Sequence, residues 1–381
     1  MKKKCVLAAV WFAVAAPGHA QLVINEIMQS NVECTMDDIH EFPDSWVELY
    51  NPTDAAVNLK DYKIGTKDKE KKAWQLPDKT VEAKGHVTIY CDKEGLESNR
   101  LHTDFRLESG KGCTVYLFAN KEIVDSLPYV DKKPLVKMPA PDVAFGRKTD
   151  GSDEWGYQLR PTPGKANTGE ICGAKQILGA PVFSVPGKVL KAGQSVQLTV
   201  SLPEGAPEGT KIRYTTDGSE PSTTNGTEAA SGGSEPTASS PEFSGTLMMK
   251  GNTLIRAKLF CDGFLSPRSV TQSYIFFPTN RELTLPVISI ATNDKYLNDP
   301  KIGIYVEGTY QSGKKNYEFD WRRPINFEFF EGEGEKSVLN QLCETRIQGG
   351  ATRSNALKSL AVYANKRFGE KRFSYEFERV A

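Results

Sequence analysis

The side chains best suited to chemistry lie close together near the C-terminal end of the sequence. They are Arg346, Gly349, Gly350, Arg353 and Lys358. A double-glycine turn lets backbone amides approach a phosphate closely, and two arginines can clamp phosphate oxygens with paired hydrogen bonds. The spacing therefore predicts a phosphate-binding loop, with a nucleotide as the candidate ligand.

The lysine is the most specific part of this prediction. Alternation places Lys358 on the same strand face as Leu360 and Val362, so its ammonium should point toward an apolar layer. An ammonium in that position needs an anionic partner, which a nucleotide phosphate or a carboxylate could supply. The loop is not a Walker A motif, because Leu357 stands where that motif requires glycine. Structural salt bridges would explain the same cations without any ligand.

Composition excludes several kinds of site. The 48 basic and 48 acidic side chains give zero net charge, so nucleic acid is not an expected partner. The four histidines end at His102, so the rest of the sequence cannot hold a Ser-His-Asp site or a histidine-bound zinc. An acidic loop with Asp37, Asp38, His40 and Glu41 could hold a cation, but a solvated loop is the preferred interpretation.

The first twenty residues have the layout of a secretory signal peptide. Lysines in Met1–Lys4 precede the apolar run Cys5–Ala16, and small residues precede a cleavage point after Ala20. The apolar run is about half of the roughly 20 residues that span a bilayer, which favours cleavage over a signal anchor. We predict removal of residues 1–20 and secretion of the mature chain to the periplasm or cell surface, with no transmembrane segment.

The remaining six cysteines are scattered and form no C-x-x-C pair, which excludes a zinc ribbon. Cys91 and Cys113 end and begin two apolar strands that could be neighbours, so a disulfide between them is one interpretation. The other cysteines are expected to be buried thiols.

Short strands separated by turn residues fill residues 21–170, a pattern typical of an antiparallel sandwich. Several matches, in order, resemble a lamin-tail domain: Val23–Ile27, Trp46–Pro52, Leu101–Leu107, Phe145–Arg147, Asp150–Gly151, Trp155 and Pro161–Asn167. The resemblance implies an immunoglobulin-like sandwich that binds or tethers other molecules. No residue in this segment has the spacing of a catalytic site.

Residues 178–278 form a second segment of alternating strands. Within it, Tyr214–Pro221 is similar to the signature of the small β-sandwich at the C-terminus of chitobiases and hexosaminidases, where the module is non-catalytic. We therefore interpret Asp217 as a turn residue before Gly218 and not as the acid of a glycosidase. The low-complexity stretch 222–240 predicts a mobile loop.

The segment from 285 to 381 differs from the first two in its pattern of apolar residues. Leu285–Ala291 is a near-continuous apolar run, which predicts a strand buried on both faces. Gly303–Val306 and Arg323–Glu331 are predicted to add two more strands.

The order of motifs in this segment resembles the beginning of the spore-coat CotH-like kinase family. The matching residues are Leu285–Val287, Gly303–Val306, Arg323–Pro324, Arg346–Gly350, Arg353 and Lys358–Leu360. The resemblance implies an atypical secreted kinase in which Lys358 holds the nucleotide phosphates. ATP and magnesium would be cofactors only of a complete kinase-like domain, and no aspartate follows Asp320. We therefore expect a truncated domain that is inactive alone.

Together these features predict a mainly β chain: two immunoglobulin-like β-sandwiches followed by an incomplete α+β kinase-like segment. The expected function is a secreted multi-module protein whose sandwiches bind or position, with a surface polysaccharide or a protein as ligand. The alternative is a non-enzymatic adhesion or carbohydrate-associated structural protein. No catalytic residue is assigned, and enzymatic activity stays an open question.

Overall fold

A computed structural model describes residues 21–95, 101–130, 133–134, 136–191, 194, 196–229, 244–247, 252–277, 283–332 and 334–377. The chain is mainly β, with several sheets, as the sequence predicts. The predicted signal peptide and residues 230–240 of the predicted mobile loop lie outside the described residues. We call residues 21–172 the N-terminal region, 173–277 the central region and 283–377 the C-terminal region.

The N-terminal region consists of short strands joined by turns. Its strands are β1 (Val23–Met28), β2 (Trp46–Tyr50), β3 (Val57–Asn58), β4 (Tyr62–Gly65), β5 (Trp74–Gln75), β6 (Thr80–Val81), β7 (His86–Tyr90), β8 (Tyr116–Ala119), β9 (Glu122–Ser126), β10 (Tyr129–Val130), β11 (Lys133–Pro134), β12 (Ala144–Arg147), β13 (Trp155–Gln158) and β14 (Ile171–Cys172). Two 3-10 turns, Leu59–Asp61 and Glu70–Lys72, flank β4.

Two sheets of this region enclose an apolar core. One has the order β14-β13-β12-β1-β2-β7 and the other the order β5-β4-β8-β9, and the smaller pairs are β3-β6 and β10-β11. A bulge at Asn25 interrupts the pairing of β1 with β2. Because of this extra residue, Ile24 and Ile27 both lie in the apolar core. Glu26 pairs with Glu48 between them in the same ladder.

The central region pairs its strands in two further sheets, β16-β22-β21-β18-β19 and β15-β17-β20. Its strands are β15 (Val182–Phe183), β16 (Lys188–Lys191), β17 (Val196–Ser201), β18 (Lys211–Thr215), β19 (Thr227–Ala229), β20 (Ser244–Leu247), β21 (Thr253–Phe260) and β22 (Val270–Phe277). Buried side chains such as Leu198, Tyr214 and Tyr274 form one core. Strand β19 lies inside the stretch 222–240, so part of the predicted loop pairs with β18.

The C-terminal region is built on an antiparallel sheet with the order β23-β24-β25-β26. Its elements are β23 (Val287–Ala291), helix α1 (Lys295–Asn298), β24 (Arg323–Phe330), β25 (Leu339–Gln348) and β26 (Ser359–Tyr363), with 3-10 turns at Asn316–Glu318, Ala351–Ser354 and Lys366–Phe368. All eight residues of β24 are buried. The predicted strand at 323–331 is therefore confirmed to within one residue.

The predicted strand at 285–291 is present as β23 but its predicted burial is wrong, and the predicted strand at 303–306 is absent. β23 is an edge strand and not one buried on both faces, because it pairs only with β24, and Ile288 is 53% exposed. Gly303–Val306 forms bends and not a strand. Ile304 is nevertheless buried, in a cluster with Tyr317, Trp321 and Ile347, so its apolar character serves packing between loops.

The six cysteines of the described chain are all free thiols. Cys91, Cys113, Cys172 and Cys343 are buried, and burial raises the pKa of each. The buried-thiol prediction is therefore confirmed for Cys172 and Cys343 and wrong for Cys34 and Cys261, which are only partly buried, and Cys91 and Cys113 form no disulfide.

The close packing of β12 against β1 can be tested at Gly146. A Cβ atom at this position would lie 2.7 Å from Gln158 Nε2 and 2.9 Å from the carbonyl oxygen of Asn25. We expect Gly146→Ala to lower the free energy of unfolding by about 1–3 kcal/mol, because the rigid backbone cannot move aside easily. Urea denaturation measures the change. Gly332→Ala is the matched control, since a Cβ there meets nothing within 4 Å; equal losses in both variants would contradict the packing argument.

Candidate functional site

The predicted phosphate loop lies between β25 and β26. Gly349 follows the end of β25 with φ of +121°, and a Cβ there would overlap the Thr352 hydroxyl. Gly349 is therefore required by the backbone. Gly350 begins the 3-10 turn and has open space around it. The double glycine forms an exposed turn, as the sequence indicates.

Both arginines of the loop bind the same carboxylate. Arg353 Nη2 lies 2.7 Å from Asp320 Oδ1, and Arg346 Nη1 lies 3.1 Å from the same oxygen. Arg353 also donates to the Gly349 and Glu318 carbonyl oxygens, and these bonds close the loop. The hydrogen bond from Arg353 lowers the pKa of Asp320. The structure thus contains the salt-bridge arrangement that the sequence left as an alternative to phosphate binding.

Lys358 has different partners from the arginines. It directly precedes β26, and its Nζ lies 4.4 Å from the ring centre of Tyr317 and 5.3 Å from that of Tyr305. The ammonium donates to the Asn355 carbonyl oxygen at 2.7 Å. The cation therefore faces an aromatic layer, where cation–π attraction stabilises it.

A buried ion pair within the C-terminal region lies against the N-terminal region, and sequence reasoning did not find it. Glu344 on β25 is 1% exposed and accepts hydrogen bonds from Arg367 Nη2 at 2.6 Å and Arg322 Nη1 at 2.5 Å. Arg367 Nη1 also donates to the carbonyl oxygens of Phe42 and Asn31. Burial alone would raise the pKa of Glu344, but the two guanidinium groups hold it below its usual range. We call this group the Glu344 anchor.

A charged cavity of about 530 Å³ adjoins the Glu344 anchor. It is lined by side chains from both regions, among them Asp44, Asp92, Glu94, Arg106, Arg322 and Arg367. Glu41 also lines it and accepts a hydrogen bond from the Arg322 backbone N–H. Burial raises the pKa of Glu41 to about 7. His40 packs edge-on against Tyr310 and Trp321, which extends the contact between the N-terminal and C-terminal regions.

The residues of the acidic loop therefore face two different parts of the structure. His40 and Glu41 face the C-terminal region, whereas Asp37 and Asp38 approach His102. A parallel bridge between Tyr90 and His102 brings this histidine beside the loop. Sequence spacing could not show that pairing, because 65 residues separate Asp37 from His102.

A second polar cluster lies where the lamin-tail-like motifs meet. Asn25 Nδ2 donates to Glu48 and Asp150, and the Thr162 backbone and hydroxyl groups donate to Glu26. Burial raises the pKa of Glu26 to about 7 and that of Glu48 to about 8. These contacts link the segments 23–27, 46–52, 150–151 and 161–167. The motifs thus form one hydrogen-bonded network, and Asn25 and Glu26 are satisfied polar groups.

Residues 15–131 match the family model described as Lamin Tail Domain. This part of the chain is similar to that immunoglobulin-like module. The matched segment is under a third of the chain, and strands β12–β14, which lie beyond it, complete the same sheet. No curated protein and no solved structure gives a significant match.

The resemblances to the chitobiase C-terminal module and to the CotH-like kinase have no matching family model, so both stay predictions. Among the helices of the described residues, none is long and apolar enough to cross a membrane.

The Glu344 anchor predicts a large cost for removing its inner cation. Arg367→Met keeps much of the side-chain volume but leaves Glu344 buried with one guanidinium, so we expect the free energy of unfolding to fall by about 3 kcal/mol. Chemical denaturation measures it. Arg372→Ala, an exposed position on the same segment, is the control; equal stability of Arg367→Met and wild type would show that the pair contributes nothing.

Glu328 on β24 predicts a pH dependence. It is 1% exposed, and burial raises its pKa to about 7 despite hydrogen bonds from Ser273. The unfolded chain ionises this group at lower pH than the folded chain, so stability falls as pH rises from about 5 to about 7. Glu328→Gln should remove that slope, a difference of up to about 3 kcal/mol for a shift of this size. Urea unfolding at pH 5, 6, 7 and 8 measures it, with exposed Glu335→Gln as control; parallel curves for wild type and Glu328→Gln would refute the assignment.

Proposed function

We propose that this protein is a secreted, multi-module protein of the periplasm or cell surface. Its two sandwich modules, residues 21–170 and 178–278, bind or position other molecules and hold a kinase-like segment, residues 285–381. The observation that carries the proposal is the Glu344 anchor. Arg367, one cation of this buried pair, also donates to carbonyl oxygens of the N-terminal module, which supports a fixed contact between the two modules and suits a protein whose task is to present one surface.

The surface so presented includes the loop with Arg346, Arg353 and Lys358. Asp320, which holds both arginines, is itself exposed, with 65% of its side chain accessible. An incoming phosphate could therefore replace this carboxylate and accept the same guanidinium hydrogen bonds. Lys358 would add a third cation from the neighbouring aromatic layer. These features support a partial nucleotide cradle.

The residues around this loop do not suit magnesium. Asp320 is held by two arginines, and Glu307 pairs with Lys315. Within the described ranges, the groups of carboxylate and histidine ligands close enough to share a metal ion lie in the N-terminal region. The loop therefore offers phosphate contacts without the carboxylate set that phosphoryl transfer requires, and we derive no transfer step.

A non-enzymatic adhesion or carbohydrate-associated role is the second candidate. The closed salt bridges between Asp320 and the two arginines favour it, because they satisfy the cations without a ligand. Phe319 and Trp321 stack with ring centres 4.6 Å apart beside this loop, and Tyr310 contacts both. Trp321 is 3% exposed, so these rings pack the interior of the region and do not themselves supply an open sugar-binding face.

Calorimetric titration with ATP and magnesium separates the two candidates. For the nucleotide cradle we expect measurable binding that Lys358→Ala weakens at least tenfold, while Lys371→Ala, an exposed control, leaves it unchanged. Asp320→Asn should tighten binding, because it removes the charge that competes with phosphate.

Equal affinity in wild type and Lys358→Ala, or no binding in any variant, would reject the nucleotide cradle. That result would leave the adhesion or carbohydrate-associated role.

A further inference from the structure

His102 lies buried between two carboxylates of the N-terminal region. Its side chain is 2% exposed, that of Asp37 is 2% exposed and that of Asp92 is 8% exposed. Burying three ionisable groups together is costly unless their charges are matched. The arrangement therefore calls for an explanation, either as an ion pair with an imidazolium or as a set of metal ligands.

Asp92 fixes one side of the imidazole. Asp92 Oδ2 makes a short hydrogen bond with His102 Nδ1, and Asp92 Oδ1 accepts the backbone N–H of Glu94 at 3.1 Å. The Nδ1 atom is too close to this oxygen to leave room for a cation between them. Nδ1 therefore carries a proton, and Nε2 is the ring nitrogen that remains for a metal ion. A carboxylate that orients histidine in this way is the usual outer partner of a metal ligand.

The Nε2 atom faces a carboxylate that is too distant for a hydrogen bond. Asp37 Oδ2 lies 3.7 Å away, and within the described chain the hydrogen bond of the His102 ring is the one to Asp92. Two ligands of one tetrahedral zinc ion, each about 2.1 Å from the metal, are about 3.4 Å apart. The observed gap is close to that separation.

The loop geometry directs the second carboxylate oxygen of Asp37 toward His102. Asp37 Oδ1 accepts the backbone N–H groups of Ile39 and Glu41, at 3.0 and 2.9 Å, while Oδ2 points toward His102. Ligand atoms of Asp37, Asp38 and His102 all lie within 4.8 Å of one another. Asp38 and His102 also line an open cavity of about 340 Å³, which provides an entry route from solvent.

We propose that Asp37, Asp38 and His102 bind a divalent transition-metal cation, with Asp92 as the residue that orients His102. A nitrogen donor with two carboxylates fits zinc, and also cobalt as its spectroscopic substitute. Three protein ligands of a four-coordinate ion would leave the fourth position for water. Asp92 acts through the histidine and is a positioning residue.

Titration of the full chain with Zn²⁺ alone, followed by calorimetry, tests the proposal. We expect one equivalent to bind wild type. Asp38→Asn, at an exposed position, should weaken binding at least tenfold, and His102→Gln should abolish it. Asp92→Asn should weaken binding by about 10–100-fold through loss of orientation. Asp61→Asn, at another exposed aspartate of this region, is the control and should bind as wild type.

A Co²⁺ spectrum gives a second readout that a merely structural role would not move. Wild type should show the visible absorption of a low-coordinate site, and Asp38→Asn should shift or lose it. If His102 is only an imidazolium paired with two carboxylates, wild type will bind no Zn²⁺ and show no such band. That result, or binding that Asp38→Asn and Asp92→Asn leave unchanged, overturns the proposal even if His102→Gln fails to fold.

Discussion

The burial of the Glu344 carboxylate is the constraint on which the arrangement of this chain depends. A charge so deeply buried is tolerable only while Arg322 and Arg367 remain bonded to it. Arg367 in turn keeps its place through carbonyl oxygens of the N-terminal region, at Asn31 and Phe42. Displacement of the C-terminal region would break the hydrogen bonds from Arg367 to these carbonyl oxygens and leave its buried guanidinium with fewer partners. These directional hydrogen bonds therefore fix the position of one region against the other. Apolar contacts alone are non-directional and would allow the two surfaces to slide.

Within the N-terminal region, polar groups specify the fold as strongly as apolar ones. The network from Asn25 to Glu48 and Asp150 joins segments that are far apart in sequence. Its donors point at buried carboxylates, so an incorrect pairing of strands would leave these groups without partners. The motifs at 23–27, 46–52, 150–151 and 161–167 therefore depend on one another, because each supplies groups that the others need.

The sequence predicts local features well and long-range partners poorly. Alternation and turn residues correctly predict the β class, and the strand β24 to within one residue. The same reasoning places an apolar run in a buried central strand, although β23 lies at the edge of its sheet. Hydrophobicity of a segment does not show whether the strand lies at the centre or at the edge of its sheet. The second limit on prediction from sequence is the identity of residues that meet in space but lie far apart in the chain.

The candidate sites show that second limit. The cations of the phosphate loop are visible as a local cluster, but their partner Asp320 lies 26 residues before Arg346 and has no motif of its own. His102 is in the same position, because only a strand bridge from Tyr90 brings it to the acidic loop. A charge-balanced sequence contains many carboxylates, and composition cannot say which one a given cation will meet.

The bulge at Asn25 gives strand β1 two roles that a regular strand could not combine. Ile24 and Ile27 share one face because the extra residue resets the alternation, while Asn25 and Glu26 supply the polar network. Loss or gain of a single residue here would exchange the apolar and polar faces along half of the strand. The number of residues in this short segment is therefore set by packing on both faces of the strand.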